Sequence, residues 1–299
     1  IETENYLNEV LDLMEVNSIN KTKINWDEFR KDVLNKAKNI NSIDSTYPII
    51  RYAIRKLGDN HSFFVENFSE TINNFKTNYP FSRLLEYNIA YIHIPSIIGN
   101  ESTLKEYATR LYNCIKSYST KNVIGWILDL RENKGGDMWS MLAGLSPLLG
   151  DEVAGYFIDS DRVYTKWYCK NGSSYLDDSL LCSIIGEAKN LLISESKVAV
   201  LIDRFTASSG EAVAVSFKGK KNTKFYGEPT RGLSTGNRIF KLSNNAALIL
   251  TVAIFADRNK NEYGNVIEPD ILIDNPYKID KIENDKVVVK AMEWITNIK

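Results

Sequence analysis

Residues 123–149 read VIGWILDLRENKGGDMWSMLAGLSPLL. The first eight form a nearly continuous apolar run, the pattern of a strand covered on both faces. Met138 to Leu149 has helical periodicity, and Gly135-Gly136 lies in the turn between. A second unit of this kind follows downstream. Val198 to Asp203 (VAVLID) reads as a buried strand, Ser209 to Lys218 as a short helix, and Lys224 to Gly227 as a further short strand. Strands alternating with helices over residues 120–230 predict crossover connections and a largely parallel sheet, hence an α/β fold.

The flanks extend this pattern. Asn88 to Pro95 (NIAYIHIP) alternates as a strand does, and Thr103 to Tyr118 is amphipathic at helical spacing. Gly155 to Tyr168 has strand-like stretches, and the region up to Lys197 is mixed. Arg238 to Ser243 and Ala246 to Phe255 predict a hairpin about Asn244-Asn245, and Val287 to Ile298 a closing helix. The first sixty residues read as helices. Tyr6, Leu7, Val10, Leu11 and Met14 recur at one spacing, and Trp26, Phe29, Val33 and Ala37 at another, opened by an Asn25/Glu28 capping box. A third helix begins near Pro48 and stops at Gly58, followed by the polar loop Asp59-Asn60-His61-Ser62. The expected organisation is an N-terminal helical domain over residues 1–65 and an α/β core over 66–299, in which 151–197 reads as a cap-like insertion.

The chain of 299 residues is 43% hydrophobic and 25% charged, ordinary values for a protein that buries a sizeable core. Lys plus Arg number 37 against 38 Asp plus Glu, a net charge of −1, so no field of one sign draws in nucleic acid or anionic lipid. No apolar run approaches the roughly 20 residues of a membrane-spanning helix. Cys114, Cys169 and Cys182 form no CxxC pair, and with only His61 and His93 as histidines no zinc site is expected. The thiols read as buried or free, and a Cys169–Cys182 bridge is the less favoured pairing. The chain starts at Ile1 rather than Met, which suggests a removed upstream segment, a signal peptide or an anchor. Membrane association is expected only through such a segment.

In open α/β sheets, sites gather where strands end and loops turn into helices. Two such turns are unusual. In Asp129-Leu130-Arg131-Glu132-Asn133-Lys134-Gly135-Gly136-Asp137, adjacent glycines can turn backbone N–H groups into an anion-binding concavity, though on spacing alone a tight turn needing positive φ is the more ordinary explanation. In Asp203 to Glu211, a serine stands between a buried strand and a helix N-terminus, where the dipole and a neighbouring N–H favour an oxyanion. Ser208-x-x-Glu211 is also an ordinary capping box. A serine nucleophile needs a base, and a neutral imidazole suits that task. His93 lies in an alternating run and reads as a packed strand residue; His61 lies in a polar loop, where a histidine is more often simply a surface residue, so neither is singled out as a base on position alone.

Five segments in order, Gly58-Asp59-Asn60-His61-Ser62, Asp129 to Gly136, Thr206-Ala207-Ser208-Ser209-Gly210-Glu211, Gly227-Glu228-Pro229-Thr230 and Gly264 to Asp270, resemble the tail-specific, or C-terminal processing, serine peptidase family. The helical N-terminus and the run from Gly135 to Leu145 look most like its nisin resistance protein branch, whose members trim the tail of a lantibiotic. The resemblance implies a ClpP/crotonase-like core and hydrolysis of a peptide or protein C-terminal tail outside the cytoplasm, with no metal or organic cofactor. It implies Ser208 as nucleophile, His61 as general base, and N–H groups of Ser209, Gly135 and Gly136 as oxyanion donors. Glu262 is the candidate to orient His61.

The chain departs from the pattern in three places. Leu233 stands where many members carry the lysine of a serine–lysine dyad, and a leucine accepts no proton. Glu132 replaces a common glycine before Asn133. Residues 66–87 are too short for a PDZ domain. A non-catalytic ligand- or peptide-binding module on the same fold is the competing reading, against which the retention of both His61 and Ser208 argues.

Overall fold

The computed structural model describes residues 2–186, 191, 193, 195–274 and 279–297. Ile298, the end of the expected last helix, and residues 187–190, 192 and 194 of the 151–197 segment lie outside the described residues. In chain order the first elements are α1 (Glu2–Asn17), α2 (Trp26–Lys36), α3 (Tyr47–Lys56), β1 (Phe63–Val65), α4 (Phe68–Asn73), β2 (Phe81–Leu85) and β3 (Ile89–His93). Then come α5 (Glu101–Lys116), β4 (Gly125–Asp129), α6 (Met138–Leu149), β5 (Val153–Asp159), β6 (Tyr164–Lys170), β7 (Ser173–Leu176) and β8 (Ser179–Ser183). The chain continues with β9 (Lys197–Ile202), α7 (Ser209–Phe217), β10 (Thr223–Gly227), β11 (Thr235–Lys241), β12 (Ala247–Asp257), β13 (Ile271–Leu272) and α8 (Lys286–Thr296). The expected helices and core strands are present. The short α4, β2 and β13 have no periodicity to betray them, and the mixed stretch before Lys197 holds the β7–β8 pair.

The chain divides into two compact units: Ile1–Phe75 with Ile158–Tyr164 and Thr235–Ile254, and Lys76–Phe157 with Thr165–Ser234 and Phe255–Lys299. In the first unit, the five apolar residues of α1 read at helical spacing are all buried. They pack with Phe29 and Val33 of α2, Ile50, Ala53 and Ile54 of α3, and Leu248 and Leu250 of β12. Asn25 caps α2 by accepting the Glu28 N–H. The apolar face of β12 is what these helices bury, and β12 pairs antiparallel with both β1 and β11.

The second unit is organised by a six-stranded sheet in the order β13-β10-β9-β4-β3-β2. All pairings are parallel except β2–β3. Alternation with period two sends successive side chains to opposite faces. Ala90, Ile92, Trp126, Leu128, Val198 and Val200 meet α5, α6 and α7. Ile89, Tyr91, Ile127, Ala199 and Leu201 meet Val287, Val288, Ala291 and Ile295 of α8. Both faces are therefore covered, which is why the strands read as continuous apolar runs. Strands β5, β6, β7 and β8 lie side by side, and the β6–β7 and β7–β8 pairs are antiparallel. All three cysteines are free, Cys169 and Cys182 being buried.

One buried ionic cluster fixes the end of β4 to α8. The Arg131 guanidinium donates to both Asp129 oxygens at 2.9 and 2.6 Å and to Asp285 Oδ2 at 2.7 Å, and Tyr91 Oη donates to Asp129. Asp285 also caps α8, accepting the Val287 N–H at 2.8 Å. Burial alone would raise the Asp129 carboxyl, but the charge and hydrogen bonds of Arg131 hold it below the usual range. Removing the cation strands two buried carboxylates, so Arg131→Ala is expected to cost about 3–5 kcal/mol. Chemical denaturation checks this, and a loss below about 1 kcal/mol would contradict it.

Candidate active site

Strands β4 and β9 are neighbours in parallel register, with Asp129 opposite Leu201. Their carboxyl ends therefore emerge together, and the turns at 129–137 and 203–208 are laced to each other. Asn133 O accepts the Ala207 N–H at 2.9 Å, and Thr206 Oγ1 donates to Leu130 O at 2.9 Å. The Glu132 N–H donates to the Asp203 carboxylate at 3.1 and 3.2 Å, and Ser209 Oγ to Gly136 O at 2.6 Å.

Asn133 shapes the first turn from within. Its Nδ2 donates to Ile94 O and its Oδ1 accepts the Gly135 N–H, both at 2.9 Å. Gly135 and Gly136 have φ of +104° and +114°. A Cβ on Gly135 would lie 2.8 Å from Cβ of Ser208, and one on Gly136 would lie 1.8 Å from Ile97 O. Both glycines are needed for space as well as for φ. Among the described residues, the N–H groups of Gly136 and Ser209 meet no protein acceptor.

Ser208, half-buried, caps α7 with φ +52° and ψ −117°. This is a sparsely populated region for a side-chain-bearing residue, costing about 1–3 kcal/mol, and it persists only where the surroundings over-determine it. Glu211 supplies that constraint. Its fully buried carboxylate accepts the N–H groups of Ser208, Gly232 and Leu233, each at 2.9 Å, and the Thr230 hydroxyl at 2.6 Å. Burial pushes its pKa up while the four donors pull it back. Of the capping box read from sequence, the Glu211 arm is formed, its carboxylate accepting the Ser208 N–H, while the Ser208 side chain makes no cap hydrogen bond; Glu211 also binds the loop after β10, which local spacing does not reveal. Leu233, at the position where lysine was sought, takes part through its backbone.

His61 belongs to the other unit. It follows α3 in the loop opened by Gly58 at φ +74°. Asp59 Oδ1 accepts the N–H groups of His61 and Ser62 at 3.0 and 2.6 Å, and Asn237 Nδ2 donates to His61 O at 3.0 Å. The imidazole is buried, and its Nδ1 shares a hydrogen bond with the Thr235 hydroxyl at 2.7 Å. Thr235 was not singled out in the sequence because it lies 174 positions from His61. Glu262 is exposed in the tight turn after β12, bridged to Ala256. No cluster of three or more metal-ligating side chains occurs among the described residues.

His93 is the packed strand residue it was read to be, opposite Phe81 and Asp129, with its ring 5.1 Å from that of Phe81. In the polar run Lys218–Asn222, Lys218 and Lys220 are each half-buried, and Lys218 Nζ donates to Glu268 O at 2.9 Å.

The chain matches the model of peptidase family S41 over residues 88–273. It is 32% identical over 272 residues to the nisin-resistance protein of Lactococcus lactis subsp. lactis, covering 90% of this chain and 80% of that protein. It is 27% identical to the carboxy-terminal processing protease CtpA of Bacillus subtilis over 73% of this chain but only 42% of that one. Among solved structures, a lipoprotein from Streptococcus agalactiae superposes with a TM-score of 0.81 at 25% identity, covering 99% of this chain and 96% of that one. The photosystem II D1 C-terminal processing protease superposes with a TM-score of 0.66 at 15% identity, covering 92% and 94%.

Two expectations follow. Glu211→Gln keeps the volume but turns an NH2 toward N–H donors, so stability should fall by about 2–4 kcal/mol in denaturant titrations. A neutral result would mean that the carboxylate is not the anchor. His93 titrates with a lowered pKa, chiefly from burial, with Arg131 adding to the effect and Asp129 and Glu132 opposing it. The unfolded imidazole, near 6.5, then binds a proton that the folded one refuses. Stability should therefore decline as pH drops below about 6.5, and His93→Gln should flatten that decline in denaturation midpoints measured between pH 5 and 8.

Proposed function

We propose that this chain, which belongs to the S41 family of serine peptidases, cleaves peptides near their C-terminus with Ser208 as nucleophile and His61 as general base. The observation that carries the reading is the strained backbone of Ser208 at the N-terminus of α7, set against Gly135 and beside the unpartnered N–H groups of Ser209 and Gly136. A serine held in this way presents its hydroxyl at the mouth of a turn rather than along a helix. Donors fixed in advance favour the charge that develops in the transition state. The covered parallel sheet with its crossover helices is in keeping with a ClpP/crotonase-like core. Segment 66–87 holds α4, β2 and the start of a short 3-10 turn at Glu86–Asn88, which supports a reading without a PDZ domain there.

The chemistry then runs in two halves. His61 takes the hydroxyl proton as Ser208 Oγ bonds to the scissile carbonyl carbon, and the carbonyl oxygen becomes an oxyanion facing the N–H groups of Ser209 and Gly136. Gly135, the third expected donor, already gives its N–H to Asn133; its contribution in this reading is the missing side chain beside Ser208. The intermediate collapses as His61 protonates the departing amine. Water, deprotonated by His61, then attacks the acyl-enzyme and releases the new C-terminus with Ser208 restored. Glu262 is carried as a further candidate to support His61.

The substrate we infer is the C-terminal tail of a peptide, a lantibiotic of the nisin kind being the first to try given the similarity to nisin-resistance protein. We place the protein outside the cytoplasm, in keeping with its similarity to a streptococcal lipoprotein; no described helix is long and apolar enough to cross a membrane.

Ser208→Ala should abolish both peptide cleavage and labelling by a fluorophosphonate probe, whereas Ser209→Ala should still label. His61→Ala should be inactive, and alanine variants of Lys220, Lys221 and Lys224 should retain activity. With an imidazole base, kcat should rise with pH through about 6 to 7. Full cleavage by Ser208→Ala would remove the nucleophile assignment. A dead lysine variant beside an active His61→Ala would replace the base.

A further inference from the structure

We propose that Thr235 is the positioning residue of the His61 imidazole: its hydroxyl accepts the Nδ1 proton and so keeps the lone pair on Nε2, the nitrogen that takes the serine proton. The inference rests on the reading of His61 as general base and goes beyond it in naming what makes the ring a base. A neutral imidazole has two tautomers, and only the one protonated at Nδ1 can accept at Nε2. Left to itself, the ring is free to exchange between them and to turn about its side-chain bonds. In this protein Nδ1 lies 2.7 Å from Thr235 Oγ1, which occupies that nitrogen and fixes the ring plane.

The strand that carries Thr235 is built for this contact. β11 meets the His61 loop twice: Thr235 through the ring, and Asn237 through Nδ2 to His61 O at 3.0 Å. The pairing of β11 with β12 shifts between these residues, Gly236 facing Ala253 and Asn237 facing Thr251, so Val252 is skipped. Such a bulge re-aims side chains on either side of it. The loop is closed from behind as well. The Thr251 hydroxyl lies 3.0 Å from Asp59 Oδ1 and 2.9 Å from Asn237 Oδ1, and Ser62 Oγ donates to Asp59 Oδ2 at 2.8 Å. The backbone of His61 is thus held by Asp59 and Asn237, and its ring is met by Thr235.

A threonine does this differently from a carboxylate. It selects the tautomer and orients the ring, but it brings no charge to stabilise the imidazolium. When the ring gains its second proton during the reaction, Nδ1 still donates to the same oxygen, now as a charged donor, and the bond strengthens as the transition state forms. Loss of the hydroxyl should therefore act on kcat, not on KM.

The chain has two histidines, so 15N-histidine labelling gives two imidazoles, distinguished by His93→Gln, and long-range 1H–15N spectra above pH 8 report the tautomer of each. The expected results are an Nδ1–H tautomer for His61 in the native protein and a shift toward Nε2–H in Thr235→Val. That variant should also lose about 10- to 100-fold in kcat at unchanged KM, the range of a hydrogen bond to an ionised partner. Thr235→Ser should recover the tautomer and most of the rate. A native Nε2–H tautomer, a Val variant with native kcat and spectrum, or Ser and Val variants impaired alike would each overturn the role of the hydroxyl. His61→Ala, run alongside, separates the two claims. If it is inactive while Thr235→Val is unaffected, only the positioning role fails. If it is fully active, the general-base reading fails.

Discussion

The carboxylate of Glu211 gathers four hydrogen-bond donors in a place without solvent: the N–H groups of Ser208, Gly232 and Leu233 and the hydroxyl of Thr230. A buried carboxylate is costly unless its lone pairs are met, and here both oxygens are engaged. The consequence runs in two directions. The bond to Ser208 holds a residue whose φ of +52° would otherwise relax. The bonds to Gly232 and Leu233 hold the loop that leads into β11, which in turn carries Thr235. One acidic side chain on the first turn of α7 thus sets the backbone of the proposed nucleophile and of the segment after Thr230.

That anchor works because the sheet beneath it is arranged first. β4 and β9 lie in parallel register, so turns more than seventy positions apart leave the sheet side by side. Crossover helices α5, α6 and α7 cover one face and α8 the other, and the Arg131 cluster ties the β4 turn to the start of α8. Asn133 then links the two turns through its carbonyl while its side chain shapes the glycine pair. The glycines leave the room that Ser208 and Ile97 occupy. The oxyanion donors we propose are what remains unpaired once these backbone demands have been met.

Much of this was legible in the chain because it is written in local terms. Alternation announced β3, continuous apolar runs announced β4 and β9, and the spacing of Tyr6, Leu7, Val10, Leu11 and Met14 announced the buried face of α1. The turns at Gly135-Gly136 and Ser208 stood out by composition. What escaped was set by distance. The two-residue β13 exists only by pairing with β10, and the β7–β8 pair lies in a stretch of mixed pattern. The recruitment of Ile158–Tyr164 and Thr235–Ile254 into the unit of the N-terminal helices has no local signature. The same holds within the site. Glu211 was read as one arm of a cap, which it is, but its bonds to Thr230, Gly232 and Leu233 come from a loop about twenty positions on. Thr235 carries no chemistry that a sequence would flag. Its meaning lies in the ring that it touches.

Leu233 separates what a position does through its main chain from what it does through its side chain. The position was singled out because a lysine is expected there, and its side chain offers no proton acceptor. Its backbone N–H nevertheless donates to Glu211, and that bond is indifferent to the side chain the residue bears. The structural duty of the position is carried by the main chain, so its side chain is free to be a base or to be inert. A lysine in this place would need desolvation to lose its proton near neutral pH. An imidazole needs only a fixed tautomer, and the loop at His61 is furnished for that by Asp59, Asn237 and Thr235. In the reading proposed here, the leucine and the polar clamp on the histidine belong together: the main chain around Glu211 serves the oxyanion, and the proton acceptor is supplied by a separate loop with its own supports.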